Sequence, residues 1–285
     1  MAVHNTELSQ FLRSRRDRLT PAQAGIDPFP GPRRVPGLRR EELAVAAGLS
    51  ADYYSRLEQG RQPHISAGVL DALARTLRLD EVETAHLRDL AAPNHRAVPA
   101  YEVAQRPDPG LLRLMNTLEH VPVLLLGRRG QVLAHNALLS AVLGSPMEPG
   151  SSFLAYLFFD PVARQRIVNW SDFARASVGA MRREAARHPH DRELRKFIDD
   201  LRAADLDVSR WWNEQGVRDY TSVPKRIVHP TAGPLSFDIE IVSGPHDPDQ
   251  RLVVYTVEPE SATAQMLPII ASWYRDSCAS KLPHR

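Results

Sequence analysis

The sequence predicts a protein of two parts: an all-α N-terminal domain of five helices built around a helix-turn-helix, then an α+β domain with one antiparallel sheet. Three observations carry this. Between Gly37 and Gly60 two short helical patterns meet at a glycine. A proline-rich stretch, residues 93–110, then separates two textures of sequence, as a linker does. Beyond it come two apolar strands, a block of helices and three further strands, an order that suits a single mixed sheet-and-helix layer pair. The predicted parts are residues 1–92, the linker 93–110, the α+β domain 111–259 and a tail 260–285.

Taken in order, Leu8, Leu12 and Leu19 form the inner stripe of a first helix that starts near Asn5 or Thr6 and ends before Pro21. Residues 21–36 hold five prolines and read as a loop. Leu43, Ala44 and Ala47 place small and apolar residues on one side of a second, short helix. Gly48 supplies a left-handed turn. Ser50 caps the next helix, whose Tyr54 and Leu57 turn inward beside Leu49. That leaves Ala51, Asp52, Tyr53, Ser55 and Arg56 on an outer front edge, the arrangement with which a helix-turn-helix meets a DNA groove. Ser66 and Asp80 open a fourth and a fifth helix. Their stripes of Val69, Leu70, Leu73, Ala74 and Leu77, then Val82, Leu87 and Leu90, read as core.

The chain beyond residue 110 begins with a short helix through Leu111, Leu112, Met115 and Leu118. Strands are expected at 121–126 and 131–134, helices from Asn136 to about Gly216, and strands again at 221–228, 235–242 and 252–257. In the second of these, Leu235, Phe237, Ile239 and Ile241 alternate with Ser236, Asp238 and Glu240, the period of a half-buried strand. In the tail, Met266, Leu267, Ile269, Ile270, Trp273 and Tyr274 fit a short amphipathic helix.

Composition narrows the function. A hydrophobic share of 43% beside 25% charged residues is that of an ordinary globular chain. The lone Cys278 rules out an internal disulfide framework and a cysteine zinc site. No apolar run approaches about 18 residues and the N-terminus has no signal core, so a soluble cytoplasmic protein without membrane contact is expected. The net charge of +2 says little, but eight arginines against two acids between Phe11 and Arg40 suit a phosphate backbone. Arg33, Arg34, Arg39, Arg40 and Arg61 are candidates for phosphate positioning, with a solvated charge run as the alternative. Arg56 can donate two hydrogen bonds to a guanine edge, worth about 1–3 kcal/mol of discrimination, or remain a solvated arginine. Asp52 can accept from a cytosine amino group or orient Arg56. His188, Pro189, His190 and Asp191 make a poor metal set, and no nucleophile triad, phosphate loop or HExxH occurs, so neither a metal nor catalysis is expected.

The stretch EELA…AGLS…YYSRLEQG resembles the helix-turn-helix of the XRE family, and its flanks RRVPGLRREELA and VLDALARTLRLD resemble the MmyB-like regulators within it. The resemblance implies that Ala51, Asp52 and Arg56 face bases, and that Arg16 forms a structural ion pair with Glu58. LLLGRRGQVLAHNALLSAVLG, LFFDPVARQRIVNW and KRIVHPTAGPLSFDIEIV resemble the MmyB-like ligand-binding domain, a PAS-like fold, over about residues 111–259. That implies a small ligand between sheet and helices, fatty-acid-like; no cofactor is expected. His135 stands where relatives have a tryptophan before the asparagine of their LA-W-N motif, a departure that bears on the pocket lining.

Apolar wall candidates are Phe153, Tyr156, Leu157, Phe158, Trp170, Phe173 and Trp212, each with plain core packing as the alternative. Asn136 and Arg182 are the polar candidates. Arg182 can fork onto a carboxylate or pair with Asp172 or Glu184, and Asn136 can instead cap its own helix. The expected protein is a non-enzymatic regulator. A homodimer on double-stranded DNA would read a pseudo-palindromic operator and be tuned by a small hydrophobic ligand. Two other readings are a haem- or flavin-binding sensor or enzyme tethered to DNA, and a ligand-free dimerisation module.

Overall fold

The computed structural model describes residues 5–33, 35–62, 64–92, 105–218, 223–244, 247 and 249–279, the side chains of 276–279 excepted. In chain order the helices of the first part are α1 (Thr6–Arg18), α2 (Pro21–Ala24), α3 (Arg40–Ala46), α4 (Ala51–Glu58), α5 (Ala67–Thr76) and α6 (Glu81–Ala91). There follow α7 (Pro109–Thr117), β1 (Val123–Leu126), β2 (Val132–His135), α8 (Ala137–Leu143), α9 (Phe153–Phe159) and α10 (Pro161–Arg166). The chain continues with α11 (Trp170–Arg187), α12 (Arg192–Ala204), α13 (Leu206–Asn213), β3 (Lys225–His229), β4 (Gly233–Ser243), β5 (Arg251–Thr256) and α14 (Ala262–Ala279).

Two compact units emerge, and their boundaries depart from those expected. The first holds residues 1–100 and 178–218, the second 101–177 and 219–285. The expected domain 111–259 is thus interrupted, and α11 changes unit after Ser177. The physical reason lies in side chains that no local pattern reveals. Val217 joins the apolar core of Leu8, Phe11 and Leu57. Arg15 donates to the Gln215 carbonyl at 2.9 Å, and Gln215 Nε2 donates to Gln10 at 3.2 Å. Most of the linker expected at 93–110 lies outside the described residues; α7 begins within its last two positions, capped by Asp108.

The first unit is organised by caps and one core. Asn5 caps α1 by accepting from Leu8 N at 3.1 Å, and its amide donates to the Leu90 carbonyl at the end of α6, 2.7 Å away. The loop expected at 21–36 contains a sixth helix, the single turn α2, because Thr20 and Gln23 satisfy each other's backbone N–H in a capping box. Gly48 takes φ +68° between α3 and α4, and Ser50 caps α4 by accepting from Tyr53 N at 3.2 Å. Such a cap contributes about 1 kcal/mol. Tyr54 and Leu57 are fully buried, as the inward stripe required.

Gly60 ends α4 at φ +68°, and a Cβ there would lie 2.7 Å from the Asn5 carbonyl oxygen. Gly48 has the same φ but open space around it. Gly60→Ala should therefore cost about 2–3 kcal/mol and Gly48→Ala about 1, since only the first adds a backbone clash to the left-handed strain. Urea unfolding of both variants checks this; equal costs would show that the clash relaxes freely.

The second unit holds one five-stranded sheet, β2-β1-β5-β4-β3, antiparallel throughout. Its registers include Leu124 opposite Val253, Ile239 opposite Tyr255 and Lys225 opposite Phe237. Along β3 and β4 burial alternates: Lys225, Ile227, Leu235, Phe237 and Ile239 face the core while Arg226, Ser236, Asp238 and Glu240 meet water. The tail forms α14, with Leu267 and Ile270 buried and Pro268 within it. No helix among the described residues is long and apolar enough to cross a membrane.

Candidate functional site

The candidate recognition surface is the front of α4. Ala51, Asp52 and Arg56 are exposed there, with Tyr53 and Ser55 half-buried beside them. Arg56 pairs with Asp52 at 3.0 Å across one helical turn, so the carboxylate orients the guanidinium rather than standing apart from it. The pair stays at the surface, with the arginine side chain 53% exposed, and so remains available to a partner. Arg61, just past the end of α4, is exposed, and among the described residues its side chain has no hydrogen-bond or ion-pair partner.

The arginines before α3 are placed differently from a free phosphate-binding run. Arg33 donates to the buried Glu42 at 2.7 Å and to the Gly37 carbonyl at 2.6 Å. Arg39 binds the loop carbonyls of Pro30, Gly31 and Pro32 at 2.9, 2.7 and 2.9 Å. Arg40 donates to Glu58 at 2.9 Å while its side chain stays 45% exposed. Arg34 lies outside the described residues. Much of the positive charge counted in the sequence is therefore spent on internal acids and carbonyls. Arg15 likewise pairs with Glu83 at 2.9 Å.

Behind α4 the expected pair is present. Arg16 grips Glu58 through Nε at 2.8 Å and a terminal nitrogen at 3.1 Å, while its other nitrogen donates to the Leu38 carbonyl at 2.6 Å. Burial alone would raise the Glu58 carboxyl, but Arg16, Tyr54 and Arg40 together hold it below the usual range. One carboxylate thus ties α1, α3 and α4 together.

In the second unit, Phe153 and Tyr156 on α9 and Phe173 at the start of α11 are brought to the inner face of the sheet, where Leu157 is fully buried as well. Tyr156 donates to the Leu143 carbonyl at 3.3 Å. Trp170 points its indole N–H at the Leu157 carbonyl, 2.8 Å away, stacks edge-on to Phe158 and carries Arg164 over its ring at 3.9 Å. Asn136 is satisfied all round: it accepts from Leu139 N and Val123 N and donates to the carbonyls of Val121 and Leu118. It caps α8 and pins the start of β1, which leaves it no free polar group. His135 bonds the neighbouring Asn136 carbonyl at 2.9 Å.

Arg182 and Trp212 belong to the first unit instead. Arg182 is 1% exposed, donates to Gln215 Oε1 at 2.7 Å and to the Trp212 carbonyl, and lies over the Trp212 ring at 4.2 Å. These contacts lock α13 against α11.

Two residues at the aromatic cluster escape sequence reasoning. Lys225 on β3 is fully buried, and its Nζ sits 4.6, 5.0 and 5.1 Å from the rings of Phe173, Phe153 and Tyr255. It donates to Tyr255 Oη at 3.0 Å. Burial pulls its pKa down to about 7. Burial, and then the nearby Tyr156, push the Tyr255 hydroxyl far above its ordinary range, so it stays protonated. The available signal was faint: one of three lysines in an arginine-rich chain, at an inward position of an alternating strand.

Residues 107–268 match a family model described as the MmyB-like transcription regulator ligand binding domain, and residues 7–87 match one described as a helix-turn-helix domain. No curated protein matches the chain.

Proposed function

We propose, from the premise that this chain belongs to the MmyB-like transcription regulator family, that it binds an operator sequence-specifically and that a small amphiphilic ligand, fatty-acid-like in class, tunes this binding. The DNA-binding and ligand-binding domains together make it a ligand-regulated transcription regulator. The observation that carries the finer reading is the exposed Asp52–Arg56 pair on a capped helix whose rear is clamped through Glu58. A guanidinium held by a neighbouring carboxylate arrives at a base edge already oriented, which limits the entropy lost on contact. Two such helices in a homodimer, about 34 Å apart, would read a pseudo-palindromic site in successive major grooves. Ligand would act through its different affinity for DNA-competent and DNA-incompetent states. The division of α11 between the two units supports this, since one helix carries both Phe173 and Arg182. The reading involves no cofactor and no reaction.

The test is fluorescence polarisation with duplexes from the region upstream of the protein's own gene, against scrambled duplexes. Arg56→Ala should weaken operator binding about 5- to 150-fold while leaving non-specific binding within a few-fold. Arg61→Ala should weaken both kinds of duplex alike and flatten the salt dependence by about one unit of slope. A wild-type protein that binds all duplexes equally would defeat the proposal.

A further inference from the structure

Lys225 has no reason in the packing to be a lysine. It is wholly removed from water, faces no carboxylate among the described residues, and makes one hydrogen bond, to Tyr255. In its charged form the amino group has three donors, and two of them find no acceptor among the described residues. The rings of Phe153 on α9, Phe173 on α11 and Tyr255 on β5 offset part of the desolvation cost but accept no hydrogen bond of ordinary strength. Tyr255, having accepted from Lys225, keeps its own O–H to give, and none of the described residues takes it. Donors on two atoms 3.0 Å apart, with no further acceptor among the described residues, mark a place for one.

We propose that Lys225 Nζ and Tyr255 Oη anchor the carboxylate of an aliphatic monocarboxylic ligand, with Phe153 and Phe173 against its first methylene groups. The inference rests on the reading that this domain takes a small amphiphile, and it moves the headgroup contact from Arg182, whose two terminal nitrogens are bound to Gln215 and the Trp212 carbonyl, to β3 and β5. A carboxylate accepts from both groups at once, through charge-assisted bonds about twice as strong as neutral ones. It also supplies the countercharge that the buried ammonium lacks.

A titration signature follows. With its pKa near 7 before binding, Lys225 is largely neutral at pH 8. A bound carboxylate favours the charged form, so binding at pH 8 should take up close to one proton. Affinity should then fall towards about tenfold per pH unit above pH 7. Among the described residues the groups facing Nζ, namely the Tyr255 hydroxyl and three aromatic rings, carry no charge that would mask this.

The experiment is calorimetric titration of the full chain with sodium dodecanoate and with dodecan-1-ol, below their aggregation concentrations, in two buffers of different ionisation enthalpy. Dodecanoate should bind about 10- to 100-fold more tightly than the alcohol at pH 7. In Lys225→Met that preference and the proton uptake should both vanish while alcohol binding stays within a few-fold. Methionine fills the same apolar cage without a charge, so the variant is expected to fold, which circular dichroism checks. Tyr255→Phe should lose about 3- to 10-fold for dodecanoate alone. Persistence of the preference or of proton uptake in Lys225→Met overturns the anchor. Equal wild-type affinity for acid and alcohol overturns the anchor and leaves the amphiphile reading standing. A wild-type protein that binds neither brings down both.

Discussion

Glu58→Ala is expected to destabilise the protein by about 3–5 kcal/mol, the largest effect of any single substitution considered. Three donors converge on this carboxylate: Arg16 twice, at 2.8 and 3.1 Å, and Arg40 at 2.9 Å. Its side chain is 1% exposed and that of Arg16 4%. Removing the acid strands the Arg16 guanidinium in the interior, with the Leu38 carbonyl and Asp17 as its remaining partners. The cost is that of a buried guanidinium left with one half-exposed carboxylate, Asp17, not the net worth of the Arg16–Glu58 pair. Glu58→Gln, which keeps an acceptor but no charge, should lose less. Arg16→Met with Glu58→Leu should recover much of the deficit, because no charge is then left buried. Denaturant unfolding of the four proteins separates these outcomes. A loss under 1 kcal/mol in Glu58→Ala would mean that apolar packing alone holds α4 against α1. Operator binding should fall alongside stability in Glu58→Ala, because this clamp holds α4 to α1 and α3.

The second large effect is one of pH. His86 on α6 is 1% exposed, meets Phe11 edge-on at 5.1 Å and has no hydrogen-bond partner for Nδ1 among the described residues. Burial first, then the positive charges of Arg182, Arg15 and Arg183, lower its pKa to about 3. The folded protein therefore keeps this ring neutral well below pH 6.5, while the unfolded chain takes up a proton there. Between about pH 6.5 and 3 the unfolded state binds more protons, so stability rises with pH across that window and is lost as pH falls. The contribution from His86 should be about 3 kcal/mol between pH 6.5 and pH 4. His86→Phe keeps the edge-on contact and removes the proton site. Urea unfolding at pH 7.5, 6, 5 and 4 should show a clearly shallower pH slope for the variant. Identical slopes would show that the imidazole is reached by water or finds an acceptor in solution. Since Arg182 is part of the cause, acid sensitivity of the N-terminal helices depends on residues distant in sequence.

How much of this was legible beforehand depended on range. The helix-turn-helix could be read because its determinants are local: Gly48 for the turn, Ser50 for the cap, Tyr54 and Leu57 for the inner stripe. The strands could be read because alternation at 235–241 is itself a statement about two faces. The arginine run misled, since its fate depended on Glu42, Glu58, Glu83 and the loop carbonyls, whose approach no window of sequence contains. Asn136 read as either a ligand group or a helix cap, and its polar atoms are taken up as a cap and strand pin. Arg182 read as a headgroup clamp or as a partner of Asp172 or Glu184, but its partners, Trp212 and Gln215, lie two helices further on.

By itself, then, the order of residues determined the two domain types, the recognition helix with its outward Asp52 and Arg56, and the single antiparallel sheet. Each follows from interactions within a few residues, where periodicity, caps and glycine conformations act directly. Only the tertiary structure decided which cations stay outward, that residues 178–218 pack into the N-terminal core, and that Lys225 meets Tyr255 in an aromatic surround. Those outcomes turn on the desolvation of charge, and whether a charge loses its water is settled by what the rest of the chain brings to it.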